Sequence, residues 1–382
     1  MRSWSATLLL LLSGFLCSCT VEHGRADPGE NSSDTSLRSN TGPYNGEAPR
    51  RWETQQSLTS ETLRRVFFCD EEYGWIVGSM GTILHTVDGG KNWKRQQSNT
   101  RIDLTDIRFL DRKRGFITGN SYDGSSSRSV ILYSADGGSS WVEKTITPGD
   151  FSGVHFVDPA NGWLFGSLSS PVSTEYVAEY GIVAHTEDGG ASWNTNHIQG
   201  GPVDSDGPVY GVSFADPQTG WAIGSTVIRR TSDGGQTWKV QYKKKYDFRN
   251  LYGFQNIRFV NSQSGWVFGY SDGETGYFTG ILHTTDGGET WQENRVMHPL
   301  YNIVFLTPNI GIGVGGAVPD DNSITRSPKR RDGIVMLTRD GGTNWELIDR
   351  VAGSPLSDIF VSQKGSAWAV GGHGIIRHHQ SD

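Results

Sequence analysis

Six copies of one phrase constrain this chain more than any other feature: a Ser or Thr, then Asp-Gly-Gly two positions on, then Trp five past the Asp. They read HTVDGGKNW at 85–93, YSADGGSSW at 133–141, HTEDGGASW at 185–193, RTSDGGQTW at 230–238, HTTDGGETW at 283–291 and LTRDGGTNW at 337–345. At average residue usage such a match arises by chance less than about once in a million positions. Successive aspartates lie 48, 52, 45, 53 and 54 residues apart, which is the length of one four-stranded propeller blade with its loops.

A second phrase precedes each box: GWIVG at 74–78, GFITG at 115–119, GWLFG at 162–166, GWAIG at 220–224, GWVFG at 265–269, GIGVG at 311–315 and, in a seventh unit without a box, AWAVG at 367–371. Earlier still, each unit carries apolar residues two apart: Val66/Phe68, Ile107/Phe109, Val154/Phe156, Val212/Phe214, Ile257/Phe259, Ile303/Phe305 and Ile359/Val361. Period two is the signature of a β-strand. Each unit therefore predicts four strands, and the seventh stops after three. Arg51-Trp52-Glu53-Thr54-Gln55-Gln56-Ser57 matches Asn92-Trp93-Lys94-Arg95-Gln96-Gln97-Ser98, the fourth strand of the first unit. The expectation is an all-β chain whose residues 51–382 form a seven-bladed β-propeller of four-stranded antiparallel blades. Its N-terminal strand completes the last blade, so that no sheet edge stays open in the ring.

In each box the carboxylate of Asp88, Asp136, Asp188, Asp233, Asp286 or Asp340 can accept N–H bonds within its own turn. The glycines admit positive φ, and Trp93, Trp141, Trp193, Trp238, Trp291 and Trp345 are placed to pack between blades. A shared catalytic role fails on geometry, because seven blades hold equivalent residues about 51° apart around the ring. The same rotation separates His85, His185 and His283, so no metal is assigned to them, and no cofactor is expected. His378 and His379, adjacent on a strand, should face opposite ways.

The first 18 residues read as an export signal, with Arg2 at the start and an apolar stretch through Leu12. Leu16-Cys17-Ser18-Cys19 resembles a lipobox, which implies cleavage before Cys19 and acylation there; the alternative is an ordinary signal cut nearby. Thr20 in place of Asp favours the outer membrane. Residues 19–50 form the lipidated Cys and a tether too polar to bury a core. Three cysteines exclude a disulfide-rich scaffold, and Cys69 is expected to be a buried apolar residue. The balance of 34 basic and 41 acidic side chains, net −7, speaks against a nucleic-acid partner.

The boxes are similar to the Asp-box, or bacterial neuraminidase, repeat, and the array over residues 51–382 resembles the photosystem II assembly and stability factor family. That resemblance implies a non-catalytic propeller that binds a client membrane protein during assembly, on the thylakoid lumen side if the host is a cyanobacterium. A monomer is expected. The other reading is a carbohydrate-active propeller, since sialidases and large propeller glucanases carry the same box. The Phe/Tyr-Arg-Ile-Pro motif of sialidases does not occur in the sequence. Asp106 and Asp358, at matching positions entering units two and seven, are the candidate carboxylate pair, or else they bond the channel backbone.

Long insertions fall on one face: 167–180, 200–208, 243–253, 271–277 and 317–332. Variable loops on a rigid ring are where recognition usually lives. Two are basic, one with Lys243, Lys244, Lys245, Tyr246 and Arg249, the other with Arg326, Lys329, Arg330 and Arg331. They form a candidate partner-binding patch for acidic protein segments or lipid headgroups, or else a solvated charge run.

Overall fold

The computed structural model describes residues 51–122, 127–147, 149–171, 177–198, 207–245, 253–273, 276–317 and 331–381. Seven four-stranded antiparallel sheets stand around a central axis, and six of them consist of four strands consecutive in sequence. The seventh takes three strands from the C-terminal end and its outer strand, Glu53–Gln55, from the N-terminal side. Thr54 pairs with Arg377 in that closing ladder, and Trp52 beside it is buried among Ile312, Val335, Leu356 and Ala369 of blades six and seven. The guanidinium of Arg377 donates to Thr54 Oγ1 at 2.9 Å and to Asp349 of blade six at 2.8 Å, so one side chain ties together the two ends of the chain and the neighbouring blade.

Every box folds alike. In the first, Thr86 Oγ1 donates to Asp88 Oδ1 at 2.8 Å and accepts from Gly90 N–H at 2.9 Å, while Asn92 donates from its backbone and its amide to the two Asp88 oxygens. Gly89 and Gly90 have φ of 70° and 85°, a conformation in which a side chain would be strained. The hydrogen bonds from Ser192 and Thr290 hold the carboxyls of Asp188 and Asp286 down at about 2. These aspartates are turn staples.

In five blades the second-strand Trp locks onto the box of the next. Trp163 of blade three stacks on Phe214 of blade four with ring centres 3.6 Å apart, and its indole N–H donates to Gly234 O in the blade-four box at 2.9 Å. Trp75, Trp221, Trp266 and Trp368 repeat both contacts around the ring. The box Trp meets the same Phe edge-on, as Trp238 does Phe214. Blade six has Ile312 at the indole position, and blade seven, which it faces, has no box to receive a donor. In blade two Phe116 stands there instead, packed so closely on Gly190 that a Cβ at Gly190 would lie 2.2 Å from the ring.

Two insertions that read as loops are hairpin extensions. The second and third strands of blade three, Gly162–Pro171 and Val177–Thr186, stay paired to Pro171↔Val177. Those of blade five stay paired to Gly273↔Gly276. Backbone pairing suffices to hold an antiparallel ladder beyond the blade core.

Candidate functional site

The inner strand of each blade buries one side chain in two between sheets and turns the next toward the central channel. Two channel layers result. Nearer the loop-bearing face stand Arg65, Asp106, Asn256, Asn302 and Asp358, and one step deeper stand Phe67, Arg108, His155, Ser213, Arg258, Val304 and Phe360. The deeper layer has two sides. Val304, Phe360 and Phe67 make an apolar arc, with Phe67 and Phe360 edge to face at 5.9 Å, whereas Arg108, His155, Ser213 and Arg258 make a polar one.

The polar side chains of these layers bond from blade to blade. Asp106 Oδ2 accepts from Val154 N–H at 3.0 Å, and Asp358 Oδ2 accepts from Val66 N–H at 2.8 Å. His155 Nε2 accepts from Phe214 N–H at 3.2 Å, and Ser213 Oγ accepts from Phe259 N–H at 2.9 Å. Asn256 Nδ2 donates to Asn302 Oδ1 at 3.0 Å, and Asn302 Nδ2 donates to Asp358 Oδ1. Asp358 is buried, and burial pushes its carboxyl above the usual carboxylate range. The two candidate carboxylates are thus occupied by backbone donors of neighbouring blades, as expected of polar groups beside buried strands. Arg65 lies 3.9 Å from Asp106, and the guanidinium of Arg108 stands over the Phe67 ring at 5.4 Å. Burial, and then the charge of Arg108, pull the guanidinium of Arg258 down to about 10.

The repeated histidines of the third strand pack on tryptophans. His85, His185, His283 and His378 stack on Trp75, Trp163, Trp266 and Trp368 with ring centres 4.7 to 4.9 Å apart. His379 turns the other way, toward Trp52 and Arg51 O. Burial lowers all four stacked imidazoles, His85 and His378 to about 4, and lowers His155 in the channel to about 3. A folded-state pKa below the unfolded 6.5 means that the unfolded chain binds protons first, so stability is complete above about pH 6.5 and is lost as pH falls toward 4 and 3. The box aspartates add their own loss only below their unfolded value near 3.8. The thermal midpoint is therefore expected to fall between pH 7.5 and pH 4.5. His155→Gln, which keeps an acceptor for Phe214 N–H, should lose less over that interval; a flat midpoint would contradict the assignment.

On the loop-bearing face, Lys243 ends the outer strand of blade four, paired with Val227. Lys244 N–H donates to Thr226 O at 2.7 Å, its ammonium stands 6.0 Å from the Phe254 ring, and Lys245 is exposed. Arg331, from blade six, lays its guanidinium over Tyr277 of the blade-five hairpin at 4.1 Å. Lys243–Lys245 and Arg331 accordingly flank blade five from either side. Tyr246, Arg249, Arg326, Lys329 and Arg330 lie outside the described residues, as does Cys19. The channel arginines are what the sequence reading missed, although the signal was there: in each inner strand it is the residue between the two apolar positions that faces the channel.

No curated protein matches the chain by sequence. Among solved structures the chain is similar to YCF48 bound to D1 peptide (20% identity, TM-score 0.61, covering 87% of this chain and 97% of that one). It is also similar to YCF48 from Cyanidioschyzon merolae (18%, TM-score 0.60, 86% and 98%). A xyloglucanase from Xanthomonas campestris shares the fold at 11% identity and TM-score 0.56, with 87% of this chain matching 54% of that enzyme. The model of the photosynthesis system II assembly factor YCF48 family matches residues 45–196 and again 196–374. With two tandem matches spanning nearly the whole propeller, the chain belongs to the YCF48 family of photosystem II assembly factors.

Proposed function

We propose that this propeller is a non-catalytic docking platform, exported and lipid-anchored at Cys19, that holds an extramembrane segment of a membrane protein during assembly of its complex. The observation that carries the reading is the pairing of family membership with a loop-bearing face on which Lys243–Lys245 and Arg331 flank blade five. A relative with this fold binds a D1 peptide, and a basic rim on an acidic protein suits an acidic segment. Leu58 supports the same face. In the matching turn of blade one the left-handed position is held by Asn99, whereas Leu58 holds it at φ 58° with 74% of its surface exposed. Local physics favours Asn there, so an exposed Leu fits a contact made with something else. The carboxylate pair named for the carbohydrate-active reading, Asp106 and Asp358, is engaged by backbone donors of neighbouring blades.

The test is an equilibrium titration with the D1 peptide of the relative. The parent chain should bind it, and changing Lys243, Lys244, Lys245 and Arg331 to Glu should raise the dissociation constant at least about tenfold, the sum of several rim charges each worth under about 1 kcal/mol. Equal binding by both proteins removes the proposed face. No binding by the parent removes a client of that type.

A further inference from the structure

We propose that the deeper channel layer is a binding site for an oxyanion, a carboxylate or a small inorganic anion of the same chemistry, held between Arg108 and Arg258 with His155 and Ser213 as neutral donors. The site is distinct from the docking face and does not depend on it.

The case starts from what the acceptors in the channel already do. His155 Nε2, Ser213 Oγ, Asp106 Oδ2 and Asp358 Oδ2 each take a backbone N–H from the neighbouring blade. Those bonds fix the chemistry left over. With Nε2 accepting, the neutral imidazole of His155 carries its proton on Nδ1, a donor, and Ser213 keeps its hydroxyl hydrogen to donate. Two guanidiniums complete the arc. Blades two and five set Arg108 and Arg258 on opposite sides of the channel, with His155 and Ser213 on the blades between. Among the described residues neither arginine has a carboxylate within ion-pair distance. Arg258 Nε is buried without a hydrogen-bond partner.

Charge points the same way. The channel walls carry three guanidiniums, Arg65, Arg108 and Arg258, against two carboxylates, Asp106 and Asp358, which act on Arg258 from beyond ion-pair distance, so positive charge is in excess around a donor-lined arc. Two like charges held near each other in a partly desolvated channel are costly alone, and an anion between them turns that repulsion into attraction. Guanidinium forks suit the paired oxygens of a carboxylate or sulfate. Chloride offers no such pair of oxygens.

The experiment is a calorimetric titration of the full chain with sulfate, against a chloride background of constant ionic strength, followed by the thermal midpoint at saturation. Sulfate should bind at one site and raise the midpoint where chloride does not. Arg108→Gln and Arg258→Gln should each weaken sulfate at least about tenfold, close to the 1.4 kcal/mol that a lost charge-assisted bond represents, while Arg230→Gln on the outer surface should change nothing. Should one channel variant fold poorly, the other gives the same readout from the opposite wall. A short peptide with a free C-terminal carboxylate, compared with its amide, separates the sources: displacement of sulfate by the acid alone identifies a polypeptide end as the ligand, and displacement by neither identifies a free anion. Sulfate acting no differently from chloride, or sulfate bound equally by the parent and both channel variants, would overturn the site.

Discussion

A chain that begins at Leu58 should not form a stable monomeric ring, whereas one that begins at Arg51 should. The difference is seven residues. They carry Trp52, buried against blades six and seven, the three ladder pairs from Glu53↔His378 to Gln55↔Ile376, and the Gln55 Oε1 that accepts the indole N–H of Trp93 at 3.1 Å. Losing a buried Trp alone costs about 3–5 kcal/mol, and each lost hydrogen bond about 1 more. Against a total stability of roughly 5–15 kcal/mol, that sum consumes most of the margin. It also leaves the strand Ile376–His379 as an open edge, ready to pair with another chain. Calorimetry and size-exclusion chromatography should show a midpoint lower by more than about 10 °C, or association, in the shorter chain. Equal midpoints and an unchanged monomer would mean that the ring is not closed by this strand.

The second large effect is expected at the blade seams. Trp163→Ala removes the stack on Phe214, the contact with His185 and the bond to Gly234 O at once, which should cost about 4–6 kcal/mol in urea unfolding, from cavity and hydrogen bond together. Trp163→Phe should cost only about 1–2 kcal/mol, because it keeps an aromatic ring and loses mainly the indole donor. The chain supplies its own precedent in Phe116, which fills that position in blade two and packs on Phe156 at 5.6 Å. Equal costs for the two substitutions would show that the hydrogen bond, and not the stacked area, holds the seam.

The architecture was legible because repetition is: a box, a Gly-Trp phrase and an apolar pair, each returning at blade length, leave one way to bury their faces. Even the splice between the two ends could be read from the match of Trp52-to-Ser57 with Trp93-to-Ser98. The phrase GIGVG at 311–315 has no Trp. The reason appears only once the bond from blade to next blade is known, since Ile312 faces the one blade without a box. The channel was hidden for a different cause. Arg108, His155 and Arg258 look like polar spacers between apolar positions, and only closure of the ring brings residues some 50 to 150 positions apart onto one axis. The basic segments had no period to follow, and charge runs in loops carry no information about which blades they will flank.

The most direct measurement of the central claim is affinity capture from detergent-solubilised host membranes with residues 51–382 as bait, beside the variant with Lys243, Lys244, Lys245 and Arg331 changed to Glu. Retention of one membrane complex by the parent and its loss from the variant is the predicted result. Capture of nothing by either protein, together with cleavage of a glycan panel by the parent, would contradict the docking account and return the carbohydrate-active reading.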